Sequence, residues 1–439
     1  MELPLDVFQC MEALEGASFA TYAVGGCVRD HLLGLTPHDF DLCTAATPDQ
    51  MQAVFRDHQL VLAGVKHGTV GVVCPSGVVE ITTFRTEGGY TDCRHPGWVR
   101  FVSSIEEDLA RRDFTVNAMA WSPLRGFADP FGGQADLKNK ILRAVGDPEK
   151  RFQEDALRIL RGVRFATKFR LTPDDGTRQA MFTQSHLMDS LAVERIFDEL
   201  CKLLPLASAK DLIDYAPILA QVIPELAPAV GFDQKSHHHA YDLYTHIAHV
   251  TAATPPDLVL RWAALLHDVG KPATFTIDST GNGHFYGHAA QSAAIADRIL
   301  LRLKAPTALR QQVVQLVQLH MSCPLPERKQ VRRWLSRLGS GTLERLLLLQ
   351  EADMGSKGTG KTDMAEHFTK IRQLVREIQA DDACLSLKDL AINGSDLIAL
   401  GFSPGKALGV CLQSLLEQVL DEALPNERTA LLSAAKHML

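Results

Sequence analysis

The sequence predicts an α+β domain with a small mixed sheet and helices over its first 146 residues, followed by an all-α arrangement. Two patterns lead to this fold class. Residues 1–140 alternate between β-branched runs and segments with helical spacing of apolar residues, whereas after Asp147 strand signals nearly disappear and helical periodicity prevails. A chain of 439 residues is also long enough for about three domains of ordinary size.

The N-terminal segments follow one another in a definite order. Residues 19–24 form a short apolar run that ends at Gly25-Gly26, and residues 28–33 then show helical spacing, which predicts a strand, a glycine turn and a helix. Residues 47–50 read Thr-Pro-Asp-Gln, a favourable helix start with threonine as N-cap. Residues 70–74 and 78–84 are rich in β-branched side chains and are separated by Pro-Ser-Gly, which predicts a hairpin.

The remainder of the chain is predicted to be helical. Its segments carry apolar residues at intervals of three and four, as a helix with one buried face requires. We expect helices over residues 154–169, 191–204, 258–266, 289–303, 308–320 and 343–352.

Composition excludes several classes of protein. Apolar residues make up 46% of the chain, yet no run approaches the roughly 20 apolar residues that a membrane-spanning helix needs. The N-terminus lacks the basic start and apolar core of a secretion signal, and the nine cysteines show no Cys-x-x-Cys spacing or disulfide framework. We therefore expect a cytoplasmic protein.

The overall charge gives no general attraction for nucleic acid, because 45 basic side chains face 52 acidic ones and the net charge is -7. Two stretches depart from this mean. Residues 138–170 contain ten basic and four acidic side chains, and residues 328–337 contain five basic and no acidic ones. Any binding of nucleic acid is expected at such local patches.

Three carboxylates are candidates for a metal-dependent catalytic site. Asp39 and Asp41 lie two residues apart in an extended stretch, so both side chains face the same way and can hold hard cations at one spot. Glu80, in the second strand of the predicted hairpin, adds the third carboxylate that two-metal phosphoryl transfer uses. A lone Asp-x-Asp is usually a solvated turn, but Gly26 and Arg29 lie at a strand-to-helix junction, where backbone N–H groups can cradle a triphosphate.

Six motifs in order along the chain carry a resemblance to a known family. They are Val24-Gly25-Gly26-x-Val28-Arg29-Asp30, Asp39-x-Asp41, Phe84-Arg85-x-Glu87, Asp108-Leu109-x-Arg111-Arg112-Asp113-Phe114-Thr115-x-Asn117-Ala118, Asp129-Pro130-x-Gly132-Gly133 and Glu154-Asp155-x-x-Arg158. The chain resembles the class II tRNA nucleotidyltransferases and bacterial poly(A) polymerases, and residues 389–405 are similar to the tail of these enzymes.

This resemblance implies a nucleotidyltransferase head over residues 1–146, a helical neck and body over residues 147–234, and a helical tail that binds tRNA over residues 361–439. It also implies Mg²⁺ as the cofactor of the head, CTP and ATP as substrates, and tRNA as partner. By the same resemblance, Arg112 contacts the triphosphate.

Asp155 and Arg158 form a candidate base-reading pair. A carboxylate can accept a hydrogen bond from an exocyclic amine while a guanidinium donates to the adjacent ring nitrogen. Cytosine and adenine present this pattern, and uracil and guanine present the reverse, so the pair would admit C and A without a template. The alternative is a surface ion pair between residues three apart on one helix.

Further arginines follow the candidate pair. Arg161 and Arg164 continue the predicted helix at steps of three and are expected to reach triphosphate oxygens, the alternative being solvated charges on a helix face. Glu194-Arg195 matches another family motif, and we interpret it as structural ion pairing within the neck.

The resemblance leaves the product of the head open between three activities. Enzymes of the family that add only CC lack a flexible stretch before the Arg111-Arg112-Asp113 motif, whereas residues 87–96 provide one here. Complete CCA addition, or addition of A alone, is therefore favoured. A poly(A) polymerase is less favoured, because such enzymes tend to have a basic tail and residues 416–422 here contain acidic side chains.

A second constellation lies downstream. His267-Asp268 follows the apolar segment 258–266, and further ligand-type side chains lie at predicted helices or helix ends: His246, His288, His320 and Asp353. This resembles the HD phosphohydrolase domain, which implies an HD domain over residues 235–360 with one or two divalent transition metals such as Mn, Ni or Fe. The run 237–239 is expected to be exposed, with His239 close to this site.

Three alternatives remain beside this interpretation. The HD segment could be a degenerate structural domain. The chain as a whole could be an HD phosphohydrolase of RNA 3′ ends with an inactive transferase head, against which the intact Asp39, Asp41 and Glu80 argue. It could also be a non-catalytic RNA-binding module.

Overall fold

The computed structural model describes residues 1–37, 39–89, 97–235, 240–357, 364–381 and 383–439. The chain divides into two compact units, one formed by residues 1–207 with 214–224 and the other by residues 208–213 with 225–439. The first contains a mixed sheet with helices, and the second is almost entirely helical, so the predicted fold class is confirmed.

The strands of the first unit lie in and around one sheet. They are β1 (Thr21–Val24), β2 (Leu42–Thr44), β3 (Leu60–Val61), β4 (Thr69–Cys74), β5 (Gly77–Thr83), β6 (Arg85–Gly88), β7 (Trp98–Phe101), β8 (Ala120–Ser122), β9 (Gly126–Ala128), β10 (Ile141–Leu142) and β11 (Thr172–Pro173). Seven of them form a mixed sheet in the order β3-β4-β5-β2-β1-β8-β9. Only β2 and β5 are parallel among these described neighbours, and the predicted hairpin is the antiparallel pair β4 and β5.

The helices of the first unit include segments close to the predicted ranges 28–33 and 191–204 and to the predicted helix start at residues 47–50. They are α1 (Leu5–Gly16), α2 (Gly26–Leu32), α3 (Pro48–Val54), α4 (Ile105–Ala110), α5 (Gly133–Lys138), α6 (Pro148–Glu154), α7 (Leu157–Phe169), α8 (Asp175–Thr183), α9 (Val193–Leu203) and α11 (Ala216–Val222), while α10 (Ala209–Asp214) includes residues of both units. Thr47 caps α3 in a capping box with Gln50, as its sequence predicts. Val24, Phe84 and Leu109 are buried together in one apolar core.

One predicted helix is interrupted. We expected a continuous helix over residues 154–169, but α6 ends at Glu154 and α7 begins at Leu157. Asp155 between them has an extended backbone, with φ of -144° and ψ of 101°, and its carboxylate accepts a hydrogen bond from the Leu157 N–H at 3.1 Å. Short acidic side chains commonly satisfy the open N–H groups at a helix start in this way, so Asp155 starts a new helix.

The second unit is a set of packed helices with one short hairpin. Its elements are α12 (Leu243–Ala253), α13 (Leu258–Leu266), α14 (Lys271–Thr274), β12 (Thr276–Ile277), β13 (Gly283–His284), α15 (His288–Arg302), α16 (Thr307–Leu319), α17 (Arg328–Gly355), α18 (Ala365–Ala380), α19 (Gly394–Ala399), α20 (Lys406–Leu420) and α21 (Arg428–Lys436). The helix α17 is kinked at Gly339, whose φ of 73° lies in the left-handed region.

The second predicted basic patch is neutralised by acidic side chains. Arg328 contacts Asp381 and Glu422, and Arg333 forms two hydrogen bonds of 2.7 Å with Asp421. Asp421 and Glu422 lie at the end of residues 416–422, the acidic segment that makes a poly(A) polymerase the less favoured activity. The run 328–337 therefore pairs largely with its own unit, and a count along the sequence overestimates its positive charge.

None of the helices in the described residues has both the length and the apolar character that a transmembrane span requires.

Candidate functional site

Three carboxylates meet at one edge of the sheet. The parallel register of β2 and β5 sets Leu42 against Ile81, so the preceding residues, Asp41 and Glu80, lie side by side. Asp39 lies two residues before Asp41, and all three line one cavity of about 750 Å³. The carboxylates are exposed to this cavity, which leaves their oxygens accessible to a cation. The structure thus brings together the residues that the sequence suggested.

The charges of these groups act on one another. Partial burial raises the pKa of the Asp41 carboxyl, the neighbouring charges of Glu80 and Asp39 raise it further, and Arg112 opposes the shift. Clustered like charges of this kind are relieved when a cation binds between them. The electrostatics therefore suit a site for hard divalent cations such as Mg²⁺.

A second cavity, of about 450 Å³, adjoins the same carboxylates. It is lined by Gly25, Gly26, Arg29, Asp41, Arg111, Arg112, Asp113, Asn117, Asp155, Leu157, Arg158, Arg161, Arg164, Phe165 and Arg195. Asp41 lines both cavities. Seven arginines and a glycine turn give this cavity the character of a site for a polyanion.

The glycine turn and two arginines form one wall of the second cavity. Gly25 has φ of 70°, which favours glycine, and a Cβ there would lie 2.9 Å from the Arg112 guanidinium and displace it. Arg29 is buried and bonds Asn117 at 2.5 Å and Asp30 at 2.6 Å, while its guanidinium lies 4.3 Å from the centre of the Phe169 ring. The arginine heads are therefore fixed in position before any ligand binds.

The predicted base-reading pair is placed differently from a surface ion pair. Asp155 accepts two hydrogen bonds from Arg195, of 3.2 and 2.8 Å, whereas Arg158 donates to Glu154 at 2.7 Å and to the Arg111 carbonyl at 3.0 Å. The ion pair that we gave as the alternative is not formed. Asp155 and Arg158 both line the second cavity, and each is held in place by third residues rather than by its proposed partner.

Arg161 and Arg164 also have acidic partners. Arg161 donates two hydrogen bonds to Asp113, of 2.9 and 2.6 Å, and Arg164 donates to the buried Glu199 at 2.5 Å. Burial raises the pKa of Asp113, but the charge of Arg161 and a hydrogen bond from Asn117 outweigh it and lower the pKa to about 2. Neither arginine is a freely solvated helix-face charge.

The second constellation forms a buried cluster in the second unit. His246, His267, His288 and His320 surround Asp268, with Nε2 atoms 3.2 to 3.6 Å from its carboxylate oxygens, and Asp353 Oδ1 lies 3.1 Å from His246 Nε2. His246 and His267 face Asp268 Oδ2, whereas His288 and His320 face Oδ1. Two groups of three ligands, each able to hold a metal ion, therefore share Asp268.

The tautomers of the histidines are set by the backbone. His267, His288 and His320 each place Nδ1 2.7 Å from the carbonyl three residues earlier, so Nδ1 carries the proton and Nε2 presents its lone pair to the cluster. His267 Nε2 is buried with no hydrogen-bond partner. Burial also lowers the pKa of His288, which favours the neutral imidazole that binds a metal.

A lysine that the sequence analysis did not select lies beside the cluster. The Lys271 ammonium is buried and bonds Asp268 Oδ2 at 2.7 Å and Gln234 Oε1 at 3.0 Å. Burial raises the pKa of Asp268, but the adjacent His267 and the charge of Lys271 outweigh it and hold the pKa well below its usual range. A Cβ on Gly270 would lie 2.6 Å from the Ser292 nitrogen, so this glycine lets the His-Asp turn pack closely against α15.

Some expectations concern residues outside the described ranges. Residues 90–96 of the stretch that separates CC addition from CCA addition are among them, as is His239. Other residues of the site were not selected from the sequence. Arg195 was interpreted as structural only, and the Asn117–Asp113–Arg161 chain was not foreseen, although Asp113 and Asn117 lie in the same motif as Arg112.

Three protein families match parts of the chain. Residues 21–143 match the poly A polymerase head domain, residues 170–230 a probable RNA- and SrmB-binding site of polymerase A, and residues 285–435 a putative tRNA nucleotidyltransferase domain 2. These matches fall in both units of the structure.

Individual relatives span almost the whole chain. The CCA-adding enzyme of Levilactobacillus brevis is 34% identical over 97% of this chain and 95% of its own length. The crystal structure of the Bacillus stearothermophilus CCA-adding enzyme in complex with CTP is 27% identical, with a TM-score of 0.74 over 100% of this chain and 98% of that one. The Thermotoga maritima CCA-adding enzyme complexed with tRNA shares the fold at 19% identity, with a TM-score of 0.61 over 99% of this chain and 95% of that one. The chain belongs to the family of CCA-adding enzymes.

Proposed function

We propose that this protein adds the 3′-terminal CCA to tRNA from CTP and ATP by two-metal nucleotidyl transfer. The observation that carries the proposal is the junction of two cavities at Asp41: three accessible carboxylates line one, and seven arginines with Asp155 line the other. A nucleotide in the arginine-lined cavity would have its triphosphate at the carboxylates. The 3′ end of the tRNA would then enter from the cavity lined by the three carboxylates.

The carboxylates would hold the cations of this reaction. Asp39, Asp41 and Glu80 have the hard oxygen ligands that Mg²⁺ prefers, and their mutual repulsion favours a bound cation. Bound Mg²⁺ supplies charge neutralisation at the triphosphate and activates the attacking 3′ hydroxyl. Glu80, beside Asp41 across the parallel register, is placed to orient that hydroxyl.

The arginine-lined cavity would select the base. The bidentate Arg195 fixes the Asp155 carboxylate, and two carbonyls with Glu154 fix the Arg158 guanidinium. The pair offers an acceptor for the amine of C or A and a donor for the adjacent ring nitrogen. Uracil and guanine would place donors against donors and acceptors against acceptors, which leaves buried polar groups unpaired.

The division of labour along the chain belongs to the same proposal. Residues 1–146 would perform the chemistry, residues 147–234 would read the base, and the helices of residues 361–439 would bind tRNA. Addition of A alone and polyadenylation are the competing activities.

Product sequencing tests the proposal. Purified protein is incubated with tRNA transcripts that lack CCA, or only the terminal A, with CTP and ATP separately and together. We expect CC with CTP alone, and CCA with both nucleotides. Addition of A only to the transcript that ends in CC would assign the chain to A addition, and long A tracts on both transcripts would assign it to polyadenylation.

The base-reading pair gives a second prediction. Asp155→Ala and Arg158→Ala should each lower the preference for CTP and ATP over UTP and GTP by roughly tenfold or more, because one base-edge contact is typically worth 1–3 kcal/mol. The measurement is kcat/KM for each of the four nucleotides. Asp175→Ala, at an exposed acid in the first turn of α8, is the control. Unchanged discrimination in both variants would remove the pair from base selection.

We further propose that the buried cluster is a divalent transition-metal site that hydrolyses phosphate esters. The donor set fits: imidazole nitrogens and carboxylate oxygens suit Mn, Ni or Fe, and the fixed Nδ1 protons leave the Nε2 lone pairs directed inward. His246, His267 and Asp353 would form one group of ligands, His288 and His320 the other, with Asp268 between them. A bound metal supplies Lewis-acid polarisation of a phosphoryl oxygen and an activated water.

Repair would connect the two activities. A 3′ phosphate or a 2′,3′-cyclic phosphate blocks the hydroxyl that the head must extend, and a hydrolase in the same chain would remove it. Lys271, held between Asp268 and Gln234, places a fixed positive charge beside the site where a phosphate would bind.

A further inference from the structure

A buried aromatic ring lies among the arginines of the second cavity. Phe165 belongs to α7, is 5% exposed and lines the cavity. Its ring centre lies 4.3 Å from the guanidinium carbon of Arg164, 5.2 Å from that of Arg161 and 5.3 Å from that of Arg29. The face of an aromatic ring attracts a cation within about 6 Å of its centre. One ring is therefore within reach of three of the seven arginines that line this cavity.

The position of the Phe165 ring is set by other aromatic side chains. The fully buried Phe114 meets it edge to face, with 6.0 Å between ring centres and 83° between planes. Phe169, one turn further along α7, stacks on it with 6.1 Å between centres and 21° between planes. Such pairs are favourable beyond the burial of their area, so the core fixes this ring whether or not a ligand is bound.

The ring brings the arginines together without neutralising them. Burial lowers the pKa of the Arg29 guanidinium and the charge of Arg164 lowers it further, while Asp30 opposes the shift. These guanidinium groups therefore repel one another across a partly dry cavity. A carboxylate would relieve the repulsion by cancelling positive charge, whereas the face of a ring attracts a cation and carries no net charge. The cavity keeps its positive field for a polyanion.

We propose that Phe165 is a positioning residue for nucleotide binding, whose ring holds the three neighbouring guanidinium groups in place for the triphosphate. This inference rests on the proposed nucleotidyltransferase function. The hydrogen bonds that hold the base-reading pair, Asp155 and Arg158, go to other residues. Phe165 therefore contributes to the affinity for the phosphate chain and not to the choice of base.

Inorganic tripolyphosphate, which has a phosphate chain and no base, tests this role. Its dissociation constant is measured by isothermal titration calorimetry on the full chain with Mg²⁺. Phe165→Leu keeps an apolar side chain but removes the ring. Its dissociation constant should rise about tenfold, because guanidinium groups that are not ordered beforehand lose side-chain freedom when the anion binds. Phe165→Tyr, which keeps the ring, should remain near the parental value.

Phe182→Leu is the matched control. It removes a ring that also lies 5.3 Å from a guanidinium, that of Arg178, in the same unit but outside the lining of the cavity. It should bind tripolyphosphate with parental affinity. If Phe165→Leu does not fold, Phe165→Met replaces it, because a flexible methionine fills irregular space in a core. Parental affinity without the ring would overturn the role, as would equal losses in the leucine and tyrosine variants, which would assign the effect to packing.

Kinetics separate this inference from the proposed catalytic function. In Phe165→Leu the KM values for CTP and ATP should rise by a common factor, while kcat and the preference over UTP and GTP stay near their parental values. A lower preference with unchanged KM would overturn the positioning role. If the parent adds no nucleotide to tRNA, the nucleotidyltransferase proposal fails and the tripolyphosphate measurement alone decides: a tenfold weakening supports the role of Phe165, and equal affinity overturns it.

Discussion

Replacement of Asp41 by alanine is expected to lower the rate of nucleotide addition by at least about a thousandfold, the scale seen when a group of a catalytic unit is removed. Asp41 is the residue that lines both cavities, and it lies beside Glu80 through the parallel pairing of β2 and β5. Asp39→Ala should have an effect of the same order, because it removes a second oxygen ligand from the same cation site. The measurement is the single-turnover rate of CTP incorporation into a tRNA transcript that lacks CCA.

Binding of tRNA should survive both substitutions. The carboxylates repel the RNA backbone, so their loss removes no attraction for the tRNA. The dissociation constant for tRNA, measured without nucleotide, should therefore stay within about threefold of the parent. Asp57→Ala is the matched control, since its exposed carboxylate belongs to the same unit and pairs with Arg56 on the surface. Incorporation by either catalytic variant at a near-parental rate would contradict the proposed site.

The sheet and the candidate catalytic carboxylates could be predicted from the sequence because local rules fix them. Strand alternation and the Pro-Ser-Gly turn determine the β4–β5 hairpin, and the glycine at position 25 marks the junction between β1 and α2. What local rules do not contain is the pairing of β2 with β5. That parallel register brings Asp41 to Glu80 across 39 positions of sequence. Glu80 was selected beforehand only because two-metal phosphoryl transfer uses a third carboxylate, and the strand pairing itself was not predicted.

The helix break at Asp155 shows how a candidate base-reading residue departs from helical periodicity. Residues 154–169 have helical spacing throughout, yet Asp155 leaves the helix, accepts a hydrogen bond from the first N–H of the next one and pairs with Arg195 from α9. Spacing alone predicted a pair between Asp155 and Arg158. In the structure each of them has a separate partner, because the Arg158 guanidinium donates its hydrogen bonds to Glu154 and to two backbone carbonyls.

Charge counts mislead for a similar reason. The run 328–337 has no acidic residue within it, but Asp381, Asp421 and Glu422 reach it from distant parts of the chain. The six candidate ligands of the buried cluster are spread over more than one hundred positions of sequence. Their placement on helices was predictable, but the sharing of Asp268 between two ligand groups follows only from the packing of the helices.

Removal of the His-Asp pair should separate the two proposed activities of the chain. The double substitution His267→Ala with Asp268→Ala deletes two ligands of one group and the shared ligand of the other. We therefore expect the protein purified with Mn²⁺ to lose nearly all of its bound transition metal and its hydrolysis of 3′-phosphate ends. Addition of CCA with Mg²⁺ should continue, because Asp39, Asp41 and Glu80 lie in the other unit.

The design must distinguish loss of the metal from loss of the fold. His267 and Asp268 are buried, so Asp268→Asn is made as well: it keeps the volume of the side chain but removes its negative charge. The double substitution His249→Ala with Asp297→Ala is the matched control, because both residues lie in the same unit outside the cluster. Metal content is read by elemental analysis, and folding by thermal unfolding followed by circular dichroism. A folded Asp268→Asn variant that keeps the parental metal content and hydrolytic rate would show that the cluster is structural, whereas loss of both with CCA addition intact would place hydrolysis at this cluster and nucleotide addition elsewhere.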